Sequence, residues 1–132
     1  MPATIIPTLR YRDAQAAIDW LGRAFGFTPQ AVHRDESGGI AHAQLVLGDA
    51  MIMLGTHRPD AFGALQTVPD GPVTQSPYIV VADADAHHAR ASAAGAVVVL
   101  PLKTEDYGGR GYSCRDPEGH LWNFGTYDPW AA

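Results

Sequence analysis

The stretch Asp116-Pro117-Glu118-Gly119-His120-Leu121-Trp122-Asn123-Phe124 decides how the chain is read. Its first half carries the residues of a tight turn. Asp accepts hydrogen bonds from the backbone just ahead, Pro fixes φ, and Gly adopts a conformation that other residues resist. Its second half is aromatic and short of charge, which suits a strand. Gly48-Asp49-Ala50-Met51-Ile52-Met53-Leu54 makes the same turn-then-strand pattern about 70 residues upstream.

Working outward, the echo extends to everything around the two turns. Thr4 to Arg10 is a short β-leaning run, and Asp13 then caps a helix whose apolar stripe is Ala14, Ala17, Ile18, Leu21 and Phe25. That spacing marks one helical face, and Gly26 sits where a terminating glycine belongs. Strand runs follow at Thr28–Arg34, Ile40–Leu47 and Ala50–Gly55. The order then restarts: a strand at Pro77–Val81, a helix from Asp83 through Ala94 with a weaker stripe (Ala86, Ala89, Ala93), and Gly95 to end it. Strands at Ala96–Leu102, Gly111–Arg115 and Leu121–Tyr127 complete the second set. Asp13 answers Asp83, Gly26 answers Gly95, and the two turns answer each other, all within one residue of a 70-residue offset. The reading is a single α+β domain of two βαβββ modules, about 1–56 and 76–127. Thr56–Gln75 between them, with Pro59, Pro69, Pro72, Gly63 and Gly71, reads as a linker or lid.

Composition sets the outer bounds. The chain has 132 residues, is 46% hydrophobic and carries a formal net charge of -5 with no basic run. Nucleic acid is therefore not an expected partner. Cys114 is the only cysteine, so no intramolecular disulfide forms, as in a reducing compartment. No apolar run approaches membrane-spanning length and no leader pattern is present, so the expectation is a soluble cytoplasmic domain without a membrane partner.

The double pattern resembles the vicinal oxygen chelate superfamily, which holds glyoxalase I, the bleomycin-resistance proteins and the extradiol dioxygenases. The marks are Leu9-Arg10-Tyr11-Arg12-Asp13 leading a helix that ends Ala24-Phe25-Gly26-Phe27, and Arg115-Asp116-Pro117-Glu118-Gly119-His120-Leu121-Trp122-Asn123-Phe124. The resemblance implies paired modules whose strands curl into a ligand-holding cup, with a divalent metal there in the enzymes. It further implies that the metal positions fall on Ile6, Met53, Ser76 and Asn123, none of them His, Asp or Glu. Divalent ions of that kind need carboxylate or imidazole ligands, so no metal cofactor is expected.

Strand parity names the cup's lining. In Ala41–Leu47 the apolar set Ala43, Leu45 and Leu47 belongs under the helix, which turns His42 and Gln44 to the cup. The same parity puts Met51 with Met53, Leu121 with Asn123, and Tyr78 and Val80 with Ser76. Trp122 and Phe124 fall on the core side. Tyr107 and Arg110, in the Gly-rich stretch before a strand, stand at the mouth, where Arg favours an anionic group. His87 and His88 read as solvated helix positions, and Cys114 as a small buried hydrophobe. The expected function is sequestration of a small aromatic or amphipathic molecule by a metal-free homodimer. The alternative is an enzyme of the same fold, a lyase, isomerase or dioxygenase type, with His42 as a non-standard general base.

Overall fold

The computed structural model describes residues 2–131. Two compact units divide the chain, Met1–Val68 and Pro69–Ala132. In the first, β1 (Thr8–Tyr11), α1 (Ala14–Phe25), β2 (Thr28–Arg34), β3 (Ile40–Leu47) and β4 (Ala50–Thr56) build a four-stranded sheet of order β1-β4-β3-β2. In the second, β5 (Tyr78–Val80), α2 (Ala84–Ala93), β6 (Val97–Thr104), β7 (Arg110–Arg115) and β8 (Leu121–Gly125) repeat it as β5-β8-β7-β6. In each sheet the first pairing is parallel and the other two antiparallel. The fold is α+β, two βαβββ units. Among the described residues no helix is long and apolar enough to cross a membrane.

The repeat holds at the level of single hydrogen bonds. Met53 N–H donates to the Pro7 carbonyl (2.9 Å) and Asn123 N–H to the Pro77 carbonyl (3.1 Å), at the same 70-residue offset. Asp35 N–H to Gly39 O and Glu105 N–H to Gly109 O, both 2.9 Å, close the two equivalent β-turn loops. Asp13 and Asp83 each accept from the backbone three residues on, Ala16 N–H and Ala86 N–H at 3.0 Å, so both helices start on a satisfied cap.

The helices bury different chemistry. α1 presents Ala14, Ala17, Ile18, Trp20, Leu21, Ala24 and Phe25 to the sheet and stops at Gly26, whose φ of 94° only glycine adopts freely. The expected α2 stripe is wrong: Ala86, Ala89 and Ala93 are exposed, while Ala84, His87, His88 and Ala91 face inward. His87 and His88 are half-buried rather than solvated. The His87 ring lies 4.1 Å from the Phe124 ring and its Nδ1 shares a 2.6 Å hydrogen bond with the Tyr112 hydroxyl. His88 meets the Tyr112 ring edge-on at 4.9 Å. An imidazole gives an alanine-rich helix the flat bulk to cover aromatic residues and a nitrogen to satisfy the phenol.

Two boundaries move for local reasons. β1 starts at Thr8 rather than Thr4; Pro7 has no N–H to give a ladder, and Ile5 is 94% exposed. Arg110 is the first residue of β7 rather than part of a loop. The start of the Pro-rich segment is also more than a tether. Gln66 Nε2 donates to the Thr8 carbonyl at 2.8 Å, the Arg10 guanidinium lies 4.5 Å over the Phe62 ring, and Val68 is buried.

The second core turns on Asp116, which is 4% exposed. One carboxylate oxygen accepts from Glu118 N–H (3.1 Å) and His120 N–H (3.0 Å); the other accepts from the Trp122 indole (3.1 Å). Asp116→Ala is expected to cost on the order of 3 kcal/mol in urea unfolding, because three donors lose an ionised acceptor. Asp116→Asn, which keeps one acceptor oxygen, should lose less.

Candidate functional site

Each sheet has one face under its helix and one face open. On the first sheet Ala43, Leu45, Ile52 and Leu54 are buried at 0–2% exposure. The alternate residues His42, Gln44, Met51 and Met53 share the other face and are half-buried. His42 Nε2 lies 2.9 Å from Gln44 Oε1, and Gln44 Nε2 donates to Gln30 Oε1 at 2.6 Å. Met53 is the cross-strand neighbour of Gln44 and of Thr8.

The open face of the second sheet carries a cavity of ≈ 300 Å³. It brings together Tyr78, Tyr107, Arg110 and Asn123, and adds Leu100, Lys103, Glu105 and Tyr127. Its floor is glycine. Gly111 and Gly125 are cross-strand partners, and a Cβ on Gly111 would stand 2.5 Å from the Phe124 carbonyl. A Cβ on Gly125 would stand 2.6 Å from the Tyr78 hydroxyl. Gly109, with φ of 80°, would drive a Cβ to 2.7 Å from Tyr127 N. Bare backbone makes the floor flat, and three tyrosines wall it. Tyr78 Oη donates to the Tyr127 carbonyl (2.7 Å), and the Tyr107 and Tyr127 rings meet edge-to-face at 5.2 Å. Burial, with Tyr107 beside it, pushes the Tyr78 phenol above its ordinary pKa, so it stays a neutral donor.

The polar groups in the cavity are largely matched by one another. Asn123 Oδ1 accepts from the Ser113 hydroxyl (2.6 Å), while Nδ2 donates to Ser76 Oγ (2.8 Å) and the Pro77 carbonyl (3.0 Å). Arg110, expected to draw an anion, is held by Asp85 through Nε (3.0 Å) and Nη2 (3.2 Å). That bond holds the Asp85 carboxyl below the usual carboxylate range. Lys103 Nζ stands 3.8 Å from Glu105. The charges therefore come as opposite-sign pairs, and the cavity favours neither sign.

The matching place in the first unit is filled from within. A Cβ on Gly55 would meet the Arg10 guanidinium at 2.5 Å, and Phe62 covers that guanidinium. The superfamily's positions point to Asn123, and parity with Ser76 points to Tyr78. Parity misses Leu100 and Lys103, because β6 has register shifts on both sides of Leu100, whereas Gly125 and Tyr127 continue the parity of Asn123. The Gly-x-Gly at 109 to 111, opposite Gly125, was the available signal for the floor.

The remaining candidate nucleophile is inert. Cys114 is fully buried, and its thiol is pushed up to about 12 by burial and by the Asp116 charge. Burial likewise pushes the Tyr112 phenol well up.

A sequence profile of the Glyoxalase/Bleomycin resistance protein/Dioxygenase superfamily matches residues 5–124. The chain belongs to that superfamily. It is 33% identical over 123 residues to the Mycobacterium tuberculosis protein Rv0887c, covering 90% of this chain and 71% of that one. It is also similar to the crystal structure of TioX from Micromonospora sp. ML1, at 34% identity and a TM-score of 0.75, covering 94% of this chain and 98% of that one. The fosfomycin resistance protein FosX from Mesorhizobium loti shares the fold alone, at 16% identity and a TM-score of 0.66 over 99% and 97% of the two chains.

The divalent metal of the superfamily's enzymes does not fit the residues present. Ile6 and Met53 offer no hard donor, and both ends of the Asn123 amide are committed to Ser76, Pro77 and Ser113. Among the described residues no group of three or more His, Cys, Asp or Glu converges to hold an ion.

The raised thiol carries a pH dependence. Its ordinary value is 9.0, so the unfolded chain ionises first as pH rises. The stabilisation is complete below 9 and is lost between 9 and about 12. Urea midpoints should therefore fall as pH rises through that window. A thiol reagent should leave native Cys114 unmodified at neutral pH and label it on unfolding.

Proposed function

We propose that this protein captures a small, flat, largely uncharged aromatic or amphipathic molecule on the open face of its second sheet, without a metal. The observation that supports it is the glycine floor walled by Tyr78, Tyr107 and Tyr127 in a cavity of ≈ 300 Å³. A flat apolar slot with few polar handles is the ordinary composition of a small-molecule site. Aromatic walls favour a planar guest through offset and edge contacts. The charge pairing of Arg110 with Asp85, and of Lys103 with Glu105, argues for a neutral guest over an anionic one. His42, Gln44, Met51 and Met53 form a second candidate surface in the first unit. Enzymatic turnover at the cavity would require a free acid or base. Its lining holds no histidine or cysteine, and Glu105 stands beside Lys103.

The protein is further proposed to act as a homodimer. Val97 and Val99 on β6 are 60% and 42% exposed, apolar surface that a second copy would cover. Light scattering should give twice the 14.1 kDa chain mass, and a stable monomer counts against this.

The binding test is a thermal-shift screen of planar aromatic compounds, since a ligand of the folded state raises its stability by mass action. Calorimetry on a hit should show Tyr78→Phe weakening binding by about 0.5–1.5 kcal/mol. Gly125→Ala, whose Cβ displaces the Tyr78 phenol, should weaken it more. EDTA should change nothing. Parent-like binding by both variants sinks the cavity, and weakened binding by Met53→Ala moves the site toward the first unit.

A further inference from the structure

We propose that His33 and His42 form a two-imidazole clip for a borderline transition-metal ion, Cu(II), Ni(II) or Zn(II), on the open face of the first unit's sheet. The two residues are direct cross-strand partners on β2 and β3, so their side chains leave the sheet on the same side. Their rings stack 25° from parallel with centroids 5.9 Å apart. Rotation of the exposed His33 ring about χ2 would bring its nitrogen to bear on the His42 side, and the separation is within reach of two metal–nitrogen bonds of about 2.0–2.1 Å each. His33 is exposed and His42 half-buried, so an ion has an open approach.

The second observation is how His42 is held. Gln44 Nε2 is engaged by Gln30 Oε1 at 2.6 Å, which turns the Gln44 amide oxygen toward His42. That oxygen accepts from His42 Nε2 at 2.9 Å. Nε2 must then carry the proton, and Nδ1 keeps its lone pair for a metal. A ligating histidine is ordinarily oriented this way, its second ring nitrogen donating to a fixed oxygen. Imidazole suits Cu(II), Ni(II) and Zn(II), and two ligands from the protein leave coordination positions for water or a small ligand. The clip uses neither the four superfamily positions nor the cavity in the second unit, so it stands or falls separately from the capture reading.

The test is titration of metal-stripped protein with Cu(II), Ni(II) and Zn(II) chlorides, by calorimetry and by the imidazole ring NMR signals. One ion per chain is expected, with Cu(II) bound more tightly than Ni(II) or Zn(II). Paramagnetic Cu(II) should broaden the His33 and His42 ring signals before those of the other four histidines. His33→Asn and His42→Asn should each weaken Cu(II) by roughly tenfold or more, and Gln44→Leu, which removes only the positioning oxygen, by less. His120→Gln should bind as the parent does. Parent-like affinity in either asparagine variant, earlier broadening at another histidine, or no binding at about millimolar Cu(II) overturns the clip. The broadening is read on the unaltered chain, so a variant that fails to fold does not protect the proposal.

Discussion

The Asp116 carboxylate holds the turn before β8 and the indole inside the core with the same two oxygens. A carboxylate at 4% exposure is costly unless its acceptor positions are filled, and here two backbone N–H groups and Trp122 fill them. The consequence runs along the strand. Once Trp122 is anchored inward, Phe124 must follow it under α2, and Asn123 must point to the open face. One hydrogen-bonded acid thus sets which residues of β8 are core and which line the open face. The charge reaches further, since it helps keep the neighbouring Cys114 thiol protonated.

The two units share a backbone and differ in what they do with it. Gly55 and Gly125 occupy equivalent places, yet one lies under the Arg10 guanidinium and the other under the Tyr78 phenol. In the first unit Phe62 completes the filling, and the polar work shifts sideways to His33, His42, Gln44 and Gln30. In the second unit the space stays open. Divergence of the side chains on a repeated frame leaves the glycine position filled in one unit and open in the other.

How much was legible in the sequence follows from the kind of signal each feature leaves. The α1 stripe is readable because large apolar residues recur at helical spacing, and all five of its expected members are buried. The α2 face is not, because its covering residues are histidines, which count as polar until the aromatic residues beneath them are known. Asn123 was placed by the superfamily's metal positions and Tyr78 by its parity with Ser76, and the parallel β5–β8 register sets the two side by side. Lys103 was missed because the bulged β6 breaks parity, and Asp85 as the partner of Arg110 is a contact across 25 residues that no local pattern announces. Ile5 misled in the other direction, an apolar residue that the strand leaves in water.

The outermost antiparallel strands, β2 and β6, each carry a proline, Pro29 and Pro101, and each slips register along its length. A strand edge interrupted in this way is a poor template for another chain, since it lacks a donor and bends away from a flat ladder. The kinked rims therefore bear on colloidal behaviour: they lower the tendency of copies to join edge to edge as concentration rises.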